Sequence, residues 1–510
     1  MSSISDSLGV LARGAVVVFV GTVAGRALGV LGQVLIVRAL SVELFGQLAL
    51  ALTVVSAVGH VSLLGVPKGT TRLISGETEP SRRREVLHSS VVLVAVGAAL
   101  ATVLVYAFRH RIAALMDDPT LARNLLWFLP YLLVFPLAQV LFAVLQALKE
   151  SARTTVARDL FPRVCGLALF GVLAALGYPY AGAIGYWLAI PALGALAGYA
   201  ALAALGDRRP SLSVAVDGAT LGRLWTFSWP LAVGSSIVMF LSDMDLLMIG
   251  LLLDTAAVGQ YRAVQPLREI TLFVLTSFTF LYYPIATEFY EEGAYADLDA
   301  LYATATKWIT TATLPLALTF VLFAPDVVRV FFTARYLPAA PALAVLIAGM
   351  FLRVVVGPNG AMLKAIDRTR VELVASALGL VVNVALNLLL IPRYRLVGAA
   401  LATGAGFAVF NLVEVVAIYL ETGSHPFSFD TVKPLVVTVA AGAGIARALA
   451  GRELSFVALL GVGAALTVVQ VVALVVTRSL DERDRELVER WESRFGVDLA
   501  PVKRAIRWRR

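Results

Sequence analysis

Three polar residues share one face of a long apolar stretch near the start of the chain. Thr22, Arg26 and Gln33 have the spacing i, i+4 and i+11, which places them together on one side of an α-helix. The stretch, VGTVAGRALGVLGQVLIV over residues 20–37, is about as long as a membrane span. A guanidinium near the bilayer centre costs roughly 2.5–3.5 kcal/mol, so a carboxylate, water or a charged substrate must offset Arg26. We therefore expect this face to point toward protein or water.

Three acidic residues lie inside later apolar stretches. Asp243 and Asp245 are two positions apart, so on a regular helix they point about 200° from each other. We expect one of them to pair with Arg26 or to bind a coupling proton or cation, since a carboxylate in a low dielectric can load and release a proton. A hydrogen bond that only packs helices is the alternative for each. Glu414 is a third candidate for coupling or ion pairing.

A second cation and an amide pair complete the intramembrane polar groups of interest. Arg353 lies within one apolar stretch, and Asn383 and Asn387 form an i, i+4 polar face in the next. Such amide faces hold helices together more often than they bind a ligand. Gly21, Gly25 and Gly29 repeat every four residues beside Arg26, which predicts a ridge where another helix approaches closely.

The elements that must position these residues are membrane-spanning helices. Of the 510 residues, 59% are hydrophobic and 15% are charged, where a soluble protein has about 25% charged residues. The sequence predicts an all-α polytopic membrane protein with about fourteen transmembrane helices. The predicted spans are 14–37, 44–66, 86–108, 124–148, 160–178, 181–205, 226–253, 263–287, 308–333, 339–363, 371–391, 396–420, 434–450 and 454–477.

Several classes of function are excluded by what the sequence lacks. It has no G-x-x-x-x-G-K-[ST] motif for ATP, and its single cysteine and four scattered histidines make no metal site. The short connections leave little room for a catalytic loop, so we predict no enzyme, no catalytic residue, no metal and no cofactor. The net charge of +8 fits a positive-inside bias and attraction to anionic lipids, without nucleic-acid binding.

Basic residues near the span ends predict the orientation. Lys68, Arg72 and the run Arg82, Arg83 and Arg84 follow the second span, which places that connection in the cytoplasm. The protein is expected in the cell membrane, and an even number of spans then puts both termini in the cytoplasm. The segment 480–510 is predicted to be a cytoplasmic, amphipathic, basic tail that lies on the inner leaflet or is simply solvated.

An internal repeat predicts two lobes. Residues 35–47 align with 248–260 at a shift of 213, which superimposes Gly46 on Gly259, and the same shift takes Pro179 to Pro392. We predict an N-terminal lobe over 1–209 and a C-terminal lobe over 210–425, each with six helices and in parallel orientation, followed by two more helices over 426–479. Parallel repeats of this kind bind substrate between lobes near the midplane.

Two short motifs resemble those of a known family. VRALSVELFG at 37–46 resembles the connection after the first span of polysaccharide-type flippases. DLLMIG at 245–250, followed by VGQY at 258–261, resembles their pattern at the seventh span. These flippases belong to the multidrug/oligosaccharidyl-lipid/polysaccharide (MOP) exporter superfamily. The predicted spans, lobes and short connections are similar to that family over essentially the whole chain.

The resemblance implies a membrane transporter that works by alternating access. It would flip a polyprenyl- or dolichyl-(di)phosphate-linked oligosaccharide from the cytoplasmic to the outer leaflet, for surface polysaccharide or glycoprotein assembly. Arg26 would hold the phosphate of the carrier lipid or, alternatively, form an ion pair that locks two helices. The candidate substrate-binding residues are then Thr22, Arg26, Gln33, Arg353, Asn383 and Asn387.

Other functions and partners are also considered. A cation- or proton-coupled multidrug exporter of the same superfamily is the alternative, and nothing in the sequence argues for a non-transporting scaffold. The expected partners are a lipid-linked oligosaccharide, anionic membrane lipids and glycosyltransferases or a polymerase of the same pathway. The protein is expected to be a monomer.

Overall fold

The computed structural model describes residues 4–205, 217–480 and 484, with side chains for all of these except 4–17, 19 and 235. Every regular element in these described ranges is helical, which confirms the all-α class. Contacts divide the chain into two compact units, Met1–Ala263 and Val264–Arg510. These units reflect contact density, whereas the lobes at 1–209 and 210–425 reflect sequence duplication, so the lobes stay a prediction. The predicted tail, 480–510, lies outside the described residues except for positions 480 and 484.

The first unit contains nine helices among its described residues, a π-helical turn and the start of a tenth helix. They are α1 Ile4–Ala39, α2 Val42–Ser62, α3 Val66–Ser75, α4 Pro80–Leu115, α5 Pro119–Ala147, α6 Ser151–Thr155, the π-helical turn Val156–Leu160, α7 Phe161–Ala175, α8 Pro179–Ala203, α9 Gly218–Leu252 and the start of α10 Thr255–Thr271.

The second unit continues from α10 with helices of very different lengths, several of them separated by short breaks. They are α11 Phe273–Glu291, α12 Tyr295–Leu322, α13 Ala324–Phe332, the 3-10 turn Ala334–Ala339, α14 Ala340–Val354, α15 Asn359–Ala365, α16 Thr369–Thr422, α17 Phe429–Ala448 and α18 Phe456–Val476. The core contains buried Tyr282, Tyr302 and Met362.

Twelve helical stretches among the described residues are long and apolar enough to cross a membrane. One of them, α16, changes direction at Arg395 (φ 49°, ψ −126°), which separates the predicted spans 371–391 and 396–420. The predicted span 160–178 corresponds to α7, which has only 15 residues and continues the irregular segment before it. The prediction of about fourteen spans in a polytopic protein therefore agrees with the structure.

Side-chain caps explain where several helices begin. Ser41 accepts a hydrogen bond from a first-turn N–H of α2, and Asp118 does the same for α5. Asp217 caps α9 by accepting from the backbone N–H groups of Thr220 and Ala219. These hydrogen bonds, above all those from Thr220, hold the pKa of Asp217 below its usual value.

The glycine ridge of α1 is confirmed as a site of close helix packing. A Cβ on Gly25 would lie 2.7 Å from the carbonyl oxygen of Asp159, and one on Gly21 would lie 2.5 Å from a methyl carbon of Thr155. Gly32, on the same face, meets the ring of Tyr186 in α8. This ridge packs α1 against α6, the π-helical turn and α8, where larger side chains would not fit.

The two glycines that the repeat aligns contact each other within the first unit. A Cβ on Gly259 would lie 2.5 Å from the carbonyl oxygen of Val42 and 2.9 Å from the backbone nitrogen of Gly46. A Cβ on Gly46 would in turn overlap the carbonyl oxygen of Thr255. Val42 and Thr255 are themselves 213 positions apart, so the start of α2 and the start of α10 contact each other through equivalent atoms. Thr255 also donates to Asp118 at 2.9 Å, which ties α10 to the start of α5.

Candidate functional site

Arg26 lies on a face of α1 beside the glycine ridge. On a regular helix Thr22, Arg26 and Gln33 cluster about 80° from the centre of that ridge. The Arg26 side chain is half-buried, and it forms no hydrogen bond or ion pair with any residue that the structure describes. Asp159, which packs against the glycine ridge at Gly25, is already paired with Arg158 at 2.9 Å and Arg163 at 3.3 Å.

The other members of this face have different surroundings. Gln33 is buried, and its Nε2 donates to the carbonyl oxygen of Arg262 at 2.7 Å, which fastens α1 to α10. Thr22 is half-buried. Arg26 is therefore the group on this face that could bind a charged ligand. Phosphate binding and ion pairing by Arg26 both stay predictions.

The two aspartates of α9 are separated as the helical spacing predicts. Asp245 is 1% exposed, and one of its carboxylate oxygens accepts from the backbone N–H of Leu246 at 2.9 Å. Asp243 is half-buried. Because α9 is a regular helix here, the two carboxylates point in different directions. Neither pairs with Arg26 in this structure, so pairing and coupling remain predictions for both.

A second polar site occurs in the second unit, where α14 crosses the second half of α16. A Cβ on Gly349 would lie 2.8 Å from the Cα of Gly404, so the two backbones touch. Arg353 follows Gly349 by one turn, and this contact brings its guanidinium over the rings of Phe407 at 5.0 Å and Phe410 at 5.9 Å. Cation–π contacts of this kind stabilise a desolvated arginine without neutralising its charge.

Amide side chains connect the spans around this crossing. Asn359, at the start of α15, donates to Asn411 of α16 at 3.0 Å, and Asn411 donates to the carbonyl oxygen of Phe407 at 2.7 Å. Asn387 donates to Asn383 at 3.0 Å, and Asn383 donates to Thr403 across the bend of α16 at 3.3 Å. These bonds account for Asn383 as a helix-packing group, whereas the buried Oδ1 of Asn387 has no hydrogen-bond partner among the described residues. A substrate contact by either residue stays a prediction.

Glu414 lies one turn beyond Phe410 and is fully buried, with 0% of its surface exposed. Neither of its carboxylate oxygens has a hydrogen-bond partner among the described residues. Arg353 and Lys364 act on it electrostatically, yet neither lies within 4.0 Å of it as an ion pair. Burying an ionised carboxylate without hydrogen-bond donors is costly.

One buried ion pair was missed by sequence reasoning. Lys307 of α12 lies 2.6 Å from Asp484 and also donates to the carbonyl oxygen of Ser479 at 3.1 Å. Trp308 donates its indole N–H to the other oxygen of Asp484 at 3.1 Å. Asp484 occurs in a run of charged residues that looks like a solvated tail, so its sequence carried no signal of burial.

Comparison with known sequences identifies two matching families. Residues 11–289, more than half of the chain, match the family described as polysaccharide biosynthesis protein, and residues 230–389 match the MatE family. A probable low-salt glycan biosynthesis flippase, Agl15 of Haloferax volcanii, is 23% identical over 416 residues, which cover 81% of this chain and 84% of the relative. An uncharacterized membrane protein of Methanocaldococcus jannaschii, MJ1068, is 26% identical over 195 residues, 38% of each chain.

Solved structures share the fold. The lipid II flippase MurJ in an inward closed conformation superimposes with a TM-score of 0.71 at 14% identity, covering 89% of this chain and 98% of MurJ. An inward-facing multidrug resistance MATE family transporter of the MOP superfamily has a TM-score of 0.65 at 17% identity, covering 78% of this chain and 94% of that one. The resemblance to polysaccharide-type flippases of the MOP superfamily is confirmed, and the chain belongs to the polysaccharide biosynthesis protein family.

Proposed function

We propose that this chain flips a lipid-linked glycan from the cytoplasmic to the outer leaflet of the cell membrane by alternating access. The carrier lipid is a polyprenyl or dolichyl (di)phosphate, and both termini of the chain lie in the cytoplasm. The observation that carries the proposal is Arg26, a cation on an apolar helix that has no protein partner among the described residues. Such a cation is costly unless it meets water or an anionic ligand, and a lipid phosphate supplies that anion.

The relatives support this choice of substrate. The Haloferax volcanii relative is named a probable low-salt glycan biosynthesis flippase, and this chain aligns with 84% of its length. MurJ, which shares the fold, is named for flipping lipid II. A phosphate-bearing lipid therefore suits both the family and the Arg26 guanidinium, which has no partner among the described residues.

Transport in vesicles tests the role of Arg26. The measurement is the appearance of a polyprenyl-diphosphate-linked glycan in the outer leaflet of proteoliposomes that contain the purified full chain. Arg26→Ala is expected to slow transfer about 10- to 100-fold, because a charge-assisted hydrogen bond is worth about 1.5–3 kcal/mol. Arg26→Lys is expected to retain part of the rate, since it keeps the charge but loses the planar fork.

The control removes an arginine from an exposed position. Arg111→Ala deletes the same charge from the end of α4 and is expected to transfer at the wild-type rate. Equal rates in Arg26→Ala and Arg111→Ala would contradict the phosphate role.

A cation- or proton-coupled drug exporter is the second candidate function. Two observations favour it, the MatE match over residues 230–389 and the buried carboxylate of Glu414. The same vesicles separate the two functions. A drug exporter moves a cationic dye such as ethidium under an imposed gradient, whereas the proposed flippase leaves the dye where it is.

A further inference from the structure

The second unit contains a buried carboxylate and a cation that face each other without pairing. Glu414 is 0% exposed, and both of its oxygens lack a partner among the described residues. A carboxylate kept only for packing is usually satisfied by backbone or side-chain donors, because an ionised group buried without donors is strongly destabilising. Holding a proton removes most of that destabilisation.

Four charged or titratable groups on neighbouring parts of the second unit act on Glu414 electrostatically. They are Tyr302 of α12, Arg353 of α14, Lys364 of α15 and Glu372 at the start of α16. Lys364 is already paired with Glu372 at 3.4 Å. The tyrosine is also engaged, since it donates to the carbonyl oxygen of Val356 at 2.9 Å.

Arg353 is therefore the cation that remains for an ionised Glu414. Its guanidinium lies over Phe407 and Phe410, and it forms no ion pair with any described carboxylate. Phe410 and Glu414 are one turn apart on the same helix, a rise of about 6 Å. A long, flexible arginine side chain is able to reach over a distance of this size by changing rotamers.

We propose that Glu414 is a proton-binding site that controls whether Arg353 is available to an anionic ligand. With the proton bound, the acid is neutral and Arg353 stays on the aromatic rings with its charge unpaired. When the proton leaves to water, the carboxylate attracts Arg353 into an ion pair and withdraws it from the ligand. The inference rests on the proposed function in one respect, since it takes the ligand to be the phosphate of the lipid carrier.

The proton site is tested first without any ligand. The unfolding equilibrium constant of the full chain in detergent is measured by SDS titration from pH 5 to pH 9. In the unfolded chain a glutamate ionises near pH 4.3, and under this proposal folded Glu414 keeps its proton to higher pH. Folding then binds one more proton, so wild-type stability falls as pH rises, with an unfolding constant that increases up to about tenfold per pH unit. Glu414→Gln, which is isosteric with the neutral acid, is expected to lack this component.

Two further variants sharpen this measurement. Arg353→Gln removes the cation that offsets an ionised Glu414, so the decline with pH should continue to higher pH than in the wild type. Glu421→Gln is the matched control, because Glu421 lies on the same helix but is paired with Arg368 near its end. The control is expected to keep the wild-type pH dependence. Equal pH dependence in wild type and Glu414→Gln would overturn the proton site.

A ligand measurement then tests the control of Arg353. The probe is farnesyl diphosphate, a short polyprenyl diphosphate, and its binding is followed at pH 6 and pH 8. From pH 6 to pH 8 the affinity of the wild type is expected to fall about tenfold more than the affinity of Glu414→Gln. Ionisation of the probe affects both proteins equally, so it does not contribute to this difference. Identical falls in the two proteins would overturn the control of Arg353. A third outcome is that Glu414→Gln loses the pH dependence of stability while the wild type does not bind the probe at all. That result would support the proton site and reject the phosphate ligand of the proposed function.

Discussion

At the scale of single residues, the buried ion pair of Lys307 and Asp484 is expected to contribute to the stability of the fold. Both side chains are buried, with 5% and 0% exposed, and their charged atoms lie 2.6 Å apart. Asp484→Ala leaves an ammonium buried without its carboxylate, so we expect a loss of about 3–5 kcal/mol in the free energy of unfolding. The measurement is SDS or denaturant titration of the full chain.

An exposed ion pair and a double variant serve as comparisons. Lys433 and Asp430 pair at 3.2 Å on the surface of α17, so Asp430→Ala should change stability by about 1 kcal/mol or less. Lys307→Met combined with Asp484→Leu removes both charges and should recover much of the loss. A small effect of Asp484→Ala would show that the buried pair does not stabilise the fold.

The residue scale also shows why some site residues are predictable and others are not. Arg26, Arg353 and Glu414 stand out because a charge inside an apolar stretch has few explanations. Lys307 and Asp484 are 177 positions apart, and each occurs near other polar residues. Their pairing depends on tertiary packing that one sequence does not reveal.

At the scale of helices, the contact between α2 and α10 depends on the absence of a side chain at Gly46. Gly46→Ala places a methyl group against the carbonyl of Thr255, and a backbone carbonyl cannot turn aside as a flexible side chain can. We expect a loss of about 1–3 kcal/mol in stability, typical of overpacking. Gly461→Ala in α18 is the matched control, since a Cβ there meets nothing within 4 Å. Wild-type stability in Gly46→Ala would contradict this packing account.

Helices were more predictable than their irregularities. Long apolar runs indicated the membrane-spanning helices, because about twenty consecutive apolar residues are typical of a transmembrane helix. The short helix α3, the break between α14 and α15 and the π-helical turn before α7 were not predicted. The break has Gly357 at φ +69° beside Thr306, and such local conformations depend on neighbouring helices more than on composition.

At the scale of the whole molecule, the predicted orientation is testable by cysteine labelling. The single native cysteine, Cys165, is first replaced by serine. A cysteine at Tyr178, which is 64% exposed between α7 and α8, is expected to react with an impermeant maleimide in intact cells. A cysteine at Thr78, exposed between α3 and α4, should react only after permeabilisation. The reverse pattern would invert the predicted topology.

The mutual approach of Gly46 and Gly259 has a consequence for the ancestry of the chain. Gly46 contacts Thr255, and Gly259 contacts Val42. Because the 213-position shift takes Val42 to Thr255 and Gly46 to Gly259, the two contacts are equivalent. A self-complementary dimer interface has this reciprocal pattern. Two copies of a half-length chain would meet through one such patch related by a twofold axis. After fusion of those copies, the two sides of the patch would be free to diverge in sequence. Gly46 and Gly259 are the exceptions, because neither position can accept a methyl group. In relatives, substitution at one glycine is therefore expected to be accompanied by change at the other.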